Sequence, residues 1–303
     1  VSAPAPISVR ITASSVRRRL RHDSRVWIGL GVLGTMVLIA LFAQQLAPYD
    51  PTAQLDISRL HSQPPSLAHP LGTDTVSRDV LSRLIFGARV SLTISMVAVA
   101  IAMTFGTLLG AIAGYVGGAI DAILMRLVDA AFSIPTLLLL IVVIALWGEI
   151  SLVFLTLLIA GVAWFTVSRL VRAETLAVRD ADFVVAARAL GMPSWRILAL
   201  HVLPNVIGPA IVAATLSIGQ VILLEAGLSY LGIGVRPPTA SWGNIIQEGA
   251  DRVSDLWWLT LFPGLAILVT VFACNALGDA LRDALDPRQL QAALGDETIL
   301  QKR

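Results

Sequence analysis

The chain has 303 residues, 56% of them hydrophobic and only 14% charged, with a mean hydropathy of +0.80. A soluble domain carries about 25% charged residues, so these numbers argue against a soluble fold. A net charge of +2 and a pI near 9.1 then report loop topology rather than nucleic-acid binding, and the single cysteine, Cys274, excludes an internal disulfide or a cysteine-based metal site.

Uncharged windows lie between Arg25 and Asp50, Arg89 and Asp121, Asp129 and Glu149, Glu149 and Arg169, Arg196 and Glu225, and Asp255 and Asp279; the shortest holds 19 residues. About 20 apolar residues cross roughly 30 Å of hydrocarbon, so six transmembrane helices are predicted in an all-α integral membrane protein. With the amino terminus in the cytoplasm, the inside segments hold sixteen of the 22 basic residues: six up to Arg25, Arg126, five from Arg169 to Arg196, and four from Arg282 to Arg303. Arg59, Arg78, Arg83, Arg89, Arg236 and Arg252 fall outside. That bias predicts both termini inside.

In chain order, residues 1–25 read as a cytoplasmic arm, mobile over 1–16. The transmembrane domain spans 26–278, with an outside segment at 47–89 and an inside coupling loop at 171–204. Span one, Val26–Leu46, follows an Arg-rich stretch like a signal n-region; it is too long for a cleaved signal and reads as a retained anchor. Ala47-Pro48-Tyr49-Asp50-Pro51 ends it. Thr73 or Asp74 is expected to cap an amphipathic surface helix. Its Val76, Val80, Leu81, Leu84 and Ile85 would face lipid, opposite Ser77, Arg78, Asp79, Ser82 and Arg83. The arginines would reach lipid head groups.

Span two lies within Val90–Val116 and carries Gly106, Gly110 and Gly114 on one stripe, a seam either with a partner subunit or within this chain. Gly117–Asp121 turns inside, and span three runs to Trp147 with Pro135 able to bend it. Gly148-Glu149 turns outside, and span four is Leu152–Leu170. Span five runs from the inside loop to Leu224, and a second outside segment covers Gly227–Asp255. Span six is Leu256–Leu277, followed by a cytoplasmic tail at 279–303.

Catalytic signatures are absent. The sole lysine, Lys302, sits in no G-x-x-x-x-G-K-[ST] loop, and neither H-E-x-x-H nor G-x-S-x-G occurs. His22, His61, His69 and His201 are scattered, so no metal site is expected. The chain reads as a non-enzyme with no cofactor of its own.

The inside loop carries the functional signal. Ala181–Leu190 is a good helix former, Gly191 accepts the left-handed φ that ends a helix, and Pro193 suits the start of a second helix. Trp195, Ile197, Leu198 and Leu200 give that helix apolar weight, and Leu203-Pro204 marks where span five begins. Ala186, Ala187 and Ala189 let a partner surface come close. The expected result is a short helix braced at both ends beneath the membrane, made from Val185, Ala186, Ala187, Arg188, Gly191, Pro193, Ser194, Trp195, Leu203 and Pro204. An ordinary interhelical loop is the alternative.

These residues resemble the loop written EAA, three residues, Gly, then a hydrophobic position and Leu-Pro in membrane subunits of bacterial ABC importers. Ala186-Ala187, Gly191 and Leu203-Pro204 match, and Val185 stands where the family has glutamate. His69-Pro-Leu-Gly-Thr-Asp74, Arg78–Arg83, Gly87–Leu92, Leu228–Gly234, Pro237-Pro238, Ser241–Asn244 and Leu277–Pro287 resemble the dipeptide/oligopeptide group, nearest its C-type (DppC/OppC-like) permeases. The resemblance covers about 26–288. It implies a type I importer fold in the bacterial inner membrane, paired with a homologous B-type permease, two ATP-binding subunits that hold ATP and Mg, and an extracytoplasmic substrate-binding protein. It also implies that the inside loop sits in a groove of one ATPase. The implied cargo is a short peptide, with nickel or glutathione as alternatives. A stand-alone secondary transporter or channel is the reading from another class. It would want a mid-membrane ionisable residue, for which Glu225 is the only candidate; Glu225 otherwise reads as a boundary residue snorkelling or pairing with the outside loop.

Overall fold

A computed structural model describes residues 13–148 and 151–285. Residues 1–12 of the expected arm, residues 286–303 of the expected tail, and Glu149 in the expected turn lie outside them. The described residues are helical, with one isolated β-bridge between Thr73 and Asp79. In order they are α1 (Ala13–His22), α2 (Ser24–Leu41), α3 (Ala43–Leu46), α4 (Ile57–Leu60), α5 (Val80–Val116), α6 (Gly118–Phe132) and α7 (Thr136–Trp147). Then come α8 (Leu152–Val178), α9 (Asp182–Ala189), α10 (Ser194–Ile197), a π turn (Leu198–Val202), α11 (Leu203–Tyr230), α12 (Trp242–Gly249), a 3-10 turn (Ala250–Arg252) and α13 (Trp257–Leu285).

Among the described residues five helices are long and apolar enough to cross a membrane: 24–41, 80–116, 152–178, 194–230 and 257–285. Helices α6 and α7, which together are apolar enough to count as a sixth, are bent by 86° across Ser133-Ile134-Pro135. Pro135 therefore does more than bend span three; it breaks it, because proline offers no N–H to the preceding turn. Span one is interrupted at Phe42, the C-cap of α2, and its helix resumes as α3 to the expected end at Leu46. Part of the amino-terminal arm is ordered as α1, and Arg25 pairs with Asp283 of α13 at 2.7 Å, so the beginning of α2 and the end of α13 meet. Helix α13 carries the chain past the expected boundary at 278 to Leu285.

The separate amphipathic surface helix is not found. Asp74 is held in a turn, accepting from the backbone N–H groups of Val76 and Arg78 at 2.9 Å each, and Ser77 adopts φ +65°. The first helical residue is instead Val80, capped by Asp79, whose carboxylate accepts from Ser82 N at 2.8 Å. No breaker follows, so the helix runs straight into span two as one 37-residue rod, about 55 Å long. The expected wet face is absent as well: Ser77, Arg78, Asp79, Ser82 and Arg83 are buried rather than in water, while Val76, Leu81, Leu84 and Ile85 are half-buried and Val80 is fully buried.

Packing decides the role of the glycine stripe. A Cβ on Gly106 would lie 2.6 Å from Val167 Cβ, one on Gly114 2.8 Å from Thr175 Cβ, and one on Gly110 would strike the Ser168 backbone. The seam is thus between α5 and α8 of this chain, where backbone contact replaces the side-chain packing used elsewhere. At one end of this pair, the elbow end, α9 and α10 complete the bundle. At the other, the cap end, residues 47–79 and α12 cover the helix tips.

Candidate functional site

The elbow is built by its termination chemistry. After Ala189, Leu190 is the C-cap; Gly191 N–H donates to Arg188 O at 3.0 Å and Met192 N–H to Ala187 O at 3.1 Å. This is a Schellman closure, and Gly191 holds the φ of +77° that it requires. Pro193 is the N-cap of the next helix rather than a residue of its first turn; its carbonyl accepts from Arg196 and Ile197 N–H. The second arm is not a separate short helix. The π turn at Leu198–Val202 carries α10 into α11, so that 194–230 forms one span. An inserted residue at a π turn changes the ladder just ahead of Pro204, which could not donate to it.

Burial sorts the expected residues into two faces. Val184, Ala187, Ile197, Val202 and Val206 pack inward against Val167 and Val171 of α8. Ala187 therefore belongs to the core and is not open to a partner. Ala186, Arg188, Ala189, Gly191, Pro193, Ser194 and Pro204 are exposed, and Leu203 is half-buried. The outward face is apolar: Leu190 is 87% exposed, Trp195 71%, Val185 48% and Phe183 45%. Arg172 Nη2 binds Asp121 at 2.6 Å, and Arg169 pairs with Asp129, fastening α8 to α6 beside the elbow.

At the cap end lies a charge cluster that sequence reasoning missed. Arg83 Nη1 binds Asp74 Oδ2 and Glu248 Oε2 at 2.5 Å each, and its Nη2 binds Glu248 Oε1 at 2.8 Å. Arg78 Nε reaches Asp74 at 2.6 Å and its Nη2 reaches Glu248 at 2.9 Å. The two arginines do not extend to a lipid surface. Two cations and two carboxylates neutralise each other in a closed group, which burial demands. Beside it His69 Nδ1 lies 2.9 Å from Asp79, and Trp258 Nε1 donates to Thr73 O at 3.1 Å. Residues 47–79 are thereby fixed to α5, α12 and α13. On their surface, the Ser58 hydroxyl and the Ser58 and Arg59 N–H groups hold the Asp56 carboxyl below the usual range. The signal available in the sequence was the breach of the inside rule at Arg78 and Arg83.

Glu225 is fully enclosed. Its Oε2 accepts from Ser91 Oγ and its Oε1 from Ser229 Oγ, both at 2.7 Å. Ser229 lies in the part of α11 that the sequence reading assigned to the second outside segment, and Glu225, enclosed as it is, does not snorkel. Among the described residues no cation forms an ion pair with it.

Two family models match. The "binding-protein-dependent transport system inner membrane component" covers residues 106–291, and the "N-terminal TM domain of oligopeptide transport permease C" covers 13–65. Among relatives, the glutathione transport system permease protein GsiD of Pectobacterium atrosepticum is 40% identical, over 90% of this chain and 89% of that protein. The dipeptide transport system permease protein DppC of Alkalihalophilus pseudofirmus is 38% identical, over 89% and 88%. The probable D,D-dipeptide transport system permease protein DdpC of Escherichia coli is 42% identical, over 85% of each. With a matched segment that takes in α8, the elbow and α11, the chain belongs to the inner membrane components of binding-protein-dependent transport systems.

Proposed function

We propose that this chain forms half of the translocation pathway of an ATP-driven importer for short peptides. The other half is a homologous B-type permease. Two cytoplasmic ATPases bind ATP and Mg and supply the drive; an extracytoplasmic binding protein delivers cargo to the cap end. The termini and the elbow lie in the cytoplasm, in keeping with the arginine bias.

The observation that carries this reading is the two-faced elbow. A Schellman-closed turn with a packed inner face and an apolar outer face is a rigid part with one surface unfilled. Leu190, Trp195, Val185 and Phe183 form that surface, suited to an apolar groove on an ATPase. Closure of the ATPases pushes on the elbow, and the push passes into α11 without crossing a flexible joint. Val185 contributes apolar contact where the wider family places a carboxylate. The chain itself performs no chemistry.

Relatives named for dipeptides, and one for glutathione, support small peptide-like cargo. Glutathione is the specific second reading. The test is co-purification followed by uptake in proteoliposomes with the binding protein and ATP. Two ATPase subunits should come down with the permease pair, and labelled dipeptide should accumulate only with ATP. Transport by this chain without ATPases would overturn the proposal; preference for glutathione over dipeptides would replace the cargo.

A further inference from the structure

A buried carboxyl with no counter-ion needs hydrogen bonds to be tolerated, and the elements that supply them become tied together. Around Glu225 those elements are two: Ser91 comes from α5 and Ser229 from α11 itself. The hydroxyls also serve the cap: Ser229 Oγ accepts from Val235 N at 3.0 Å, and Ser91 Oγ accepts from Trp242 N at 3.4 Å. Backbone packing closes the same node. A Cβ on Gly234 would fall 2.5 Å from Ser229 Oγ, and one on Gly243 would lie 2.7 Å from Ala226 Cα. The α11 turn at 225–229 is therefore clasped by the segment that leads into α12, and α12 holds Glu248 of the charge cluster.

The other end of the same helix is the elbow. From Ser194 to Tyr230 the chain is one span, and Glu225 stands roughly 45 Å along it from Ser194 at 1.5 Å per residue. We propose that Glu225 is a positioning residue for coupling: its carboxyl holds the Ser91 and Ser229 hydroxyls, which fasten the cap end of this rod to α5 and to the segment that leads into α12, so that displacement of the elbow moves the cap. The inference rests on the elbow being driven by an ATPase. Without the fastening, the rod moves but its far end slips beneath the cap, and ATP turnover parts from substrate movement.

The test uses the whole transporter, with binding protein, in proteoliposomes. Glu225→Met keeps bulk and removes both acceptors; Glu225→Gln keeps one carbonyl acceptor and the length; Ser91→Ala with Ser229→Ala removes the donors while leaving the carboxyl. Basal ATP hydrolysis and substrate taken up per ATP are measured together. The expected result for Glu225→Met is basal hydrolysis within about twofold of wild type and uptake per ATP at least tenfold lower. Glu225→Gln should recover at least a third of wild-type uptake per ATP, and the double serine variant should resemble Glu225→Met. Wild-type uptake per ATP in Glu225→Met would overturn the proposal. If Glu225→Met fails to assemble, the serine pair decides: unchanged uptake per ATP there overturns it equally. A wild-type complex whose uptake ignores ATP would instead refute the proposed function.

Discussion

Removing Arg83 should open the cap. The guanidinium is enclosed and bridges Asp74 and Glu248, whose side chains are 0% and 15% exposed. Arg83→Ala leaves two carboxylates facing one guanidinium, Arg78, so one negative charge is stranded. Breaking a buried pair from one side costs about 3–5 kcal/mol, and the partial opening of Glu248 to water favours the lower end. At about 1.4 kcal/mol per tenfold, the open fraction rises by roughly two orders of magnitude or more. Ser77 reports this well, being buried with its hydroxyl 3.2 Å from Asp56 O. With Ser77→Cys in a Cys274→Ser background, maleimide labelling in detergent should accelerate by about a hundredfold on adding Arg83→Ala. Arg83→Met with Glu248→Gln removes one charge of each sign and leaves the Asp74–Arg78 pair intact, so labelling should fall back to within tenfold of the parent. Labelling unchanged within threefold by Arg83→Ala, or no recovery in the paired variant, would refute the charge accounting.

Gly191→Pro removes the N–H that closes α9 and cannot adopt φ +77°; the spans should insert normally while binding-protein-stimulated ATP hydrolysis falls at least tenfold. Leu190→Ser with Trp195→Ser strips the apolar outer face; at about 2 kcal/mol or more for such anchors, ATPase co-purification should weaken by roughly thirtyfold or more, with permease yield unchanged. Gly110→Leu would drive a side chain into the Ser168 backbone, whereas Gly161→Leu meets nothing within 4 Å; a detergent melting curve should show the first grossly destabilised and the second within a few degrees of wild type.

The features legible in the sequence were those set by neighbours along the chain. Apolar blocks of span length and the Gly191 helix stop are local signals; helices fill the blocks, and Gly191 closes α9, while Pro193 moved from the first turn to the N-cap and Pro135 broke one block in two. The continuity of α10 into α11 was hidden because Leu203-Pro204 reads as a stop unless a π turn precedes it, and nothing in Leu198–Val202 advertises one. The cap was misread for a different reason. Ser77, Arg78, Asp79, Ser82 and Arg83 look like a wet face until Glu248 arrives from 165 residues away. Glu225 was visible as an oddity, but its two serine partners, Ser91 and Ser229, are too common a residue type to be picked out one by one.

The α5–α8 seam limits what can move. Three glycines meet Val167, the Ser168 backbone and Thr175 at distances that leave no room for a methyl group. Helices joined like zip teeth do not glide. Any slip shorter than a full helical turn, about 5.4 Å, drives a Leu or Ala flank into the opposing backbone. The pair must travel as a single plank through the transport cycle. Relative motion is then left to helices outside this pair, α11 with its elbow among them.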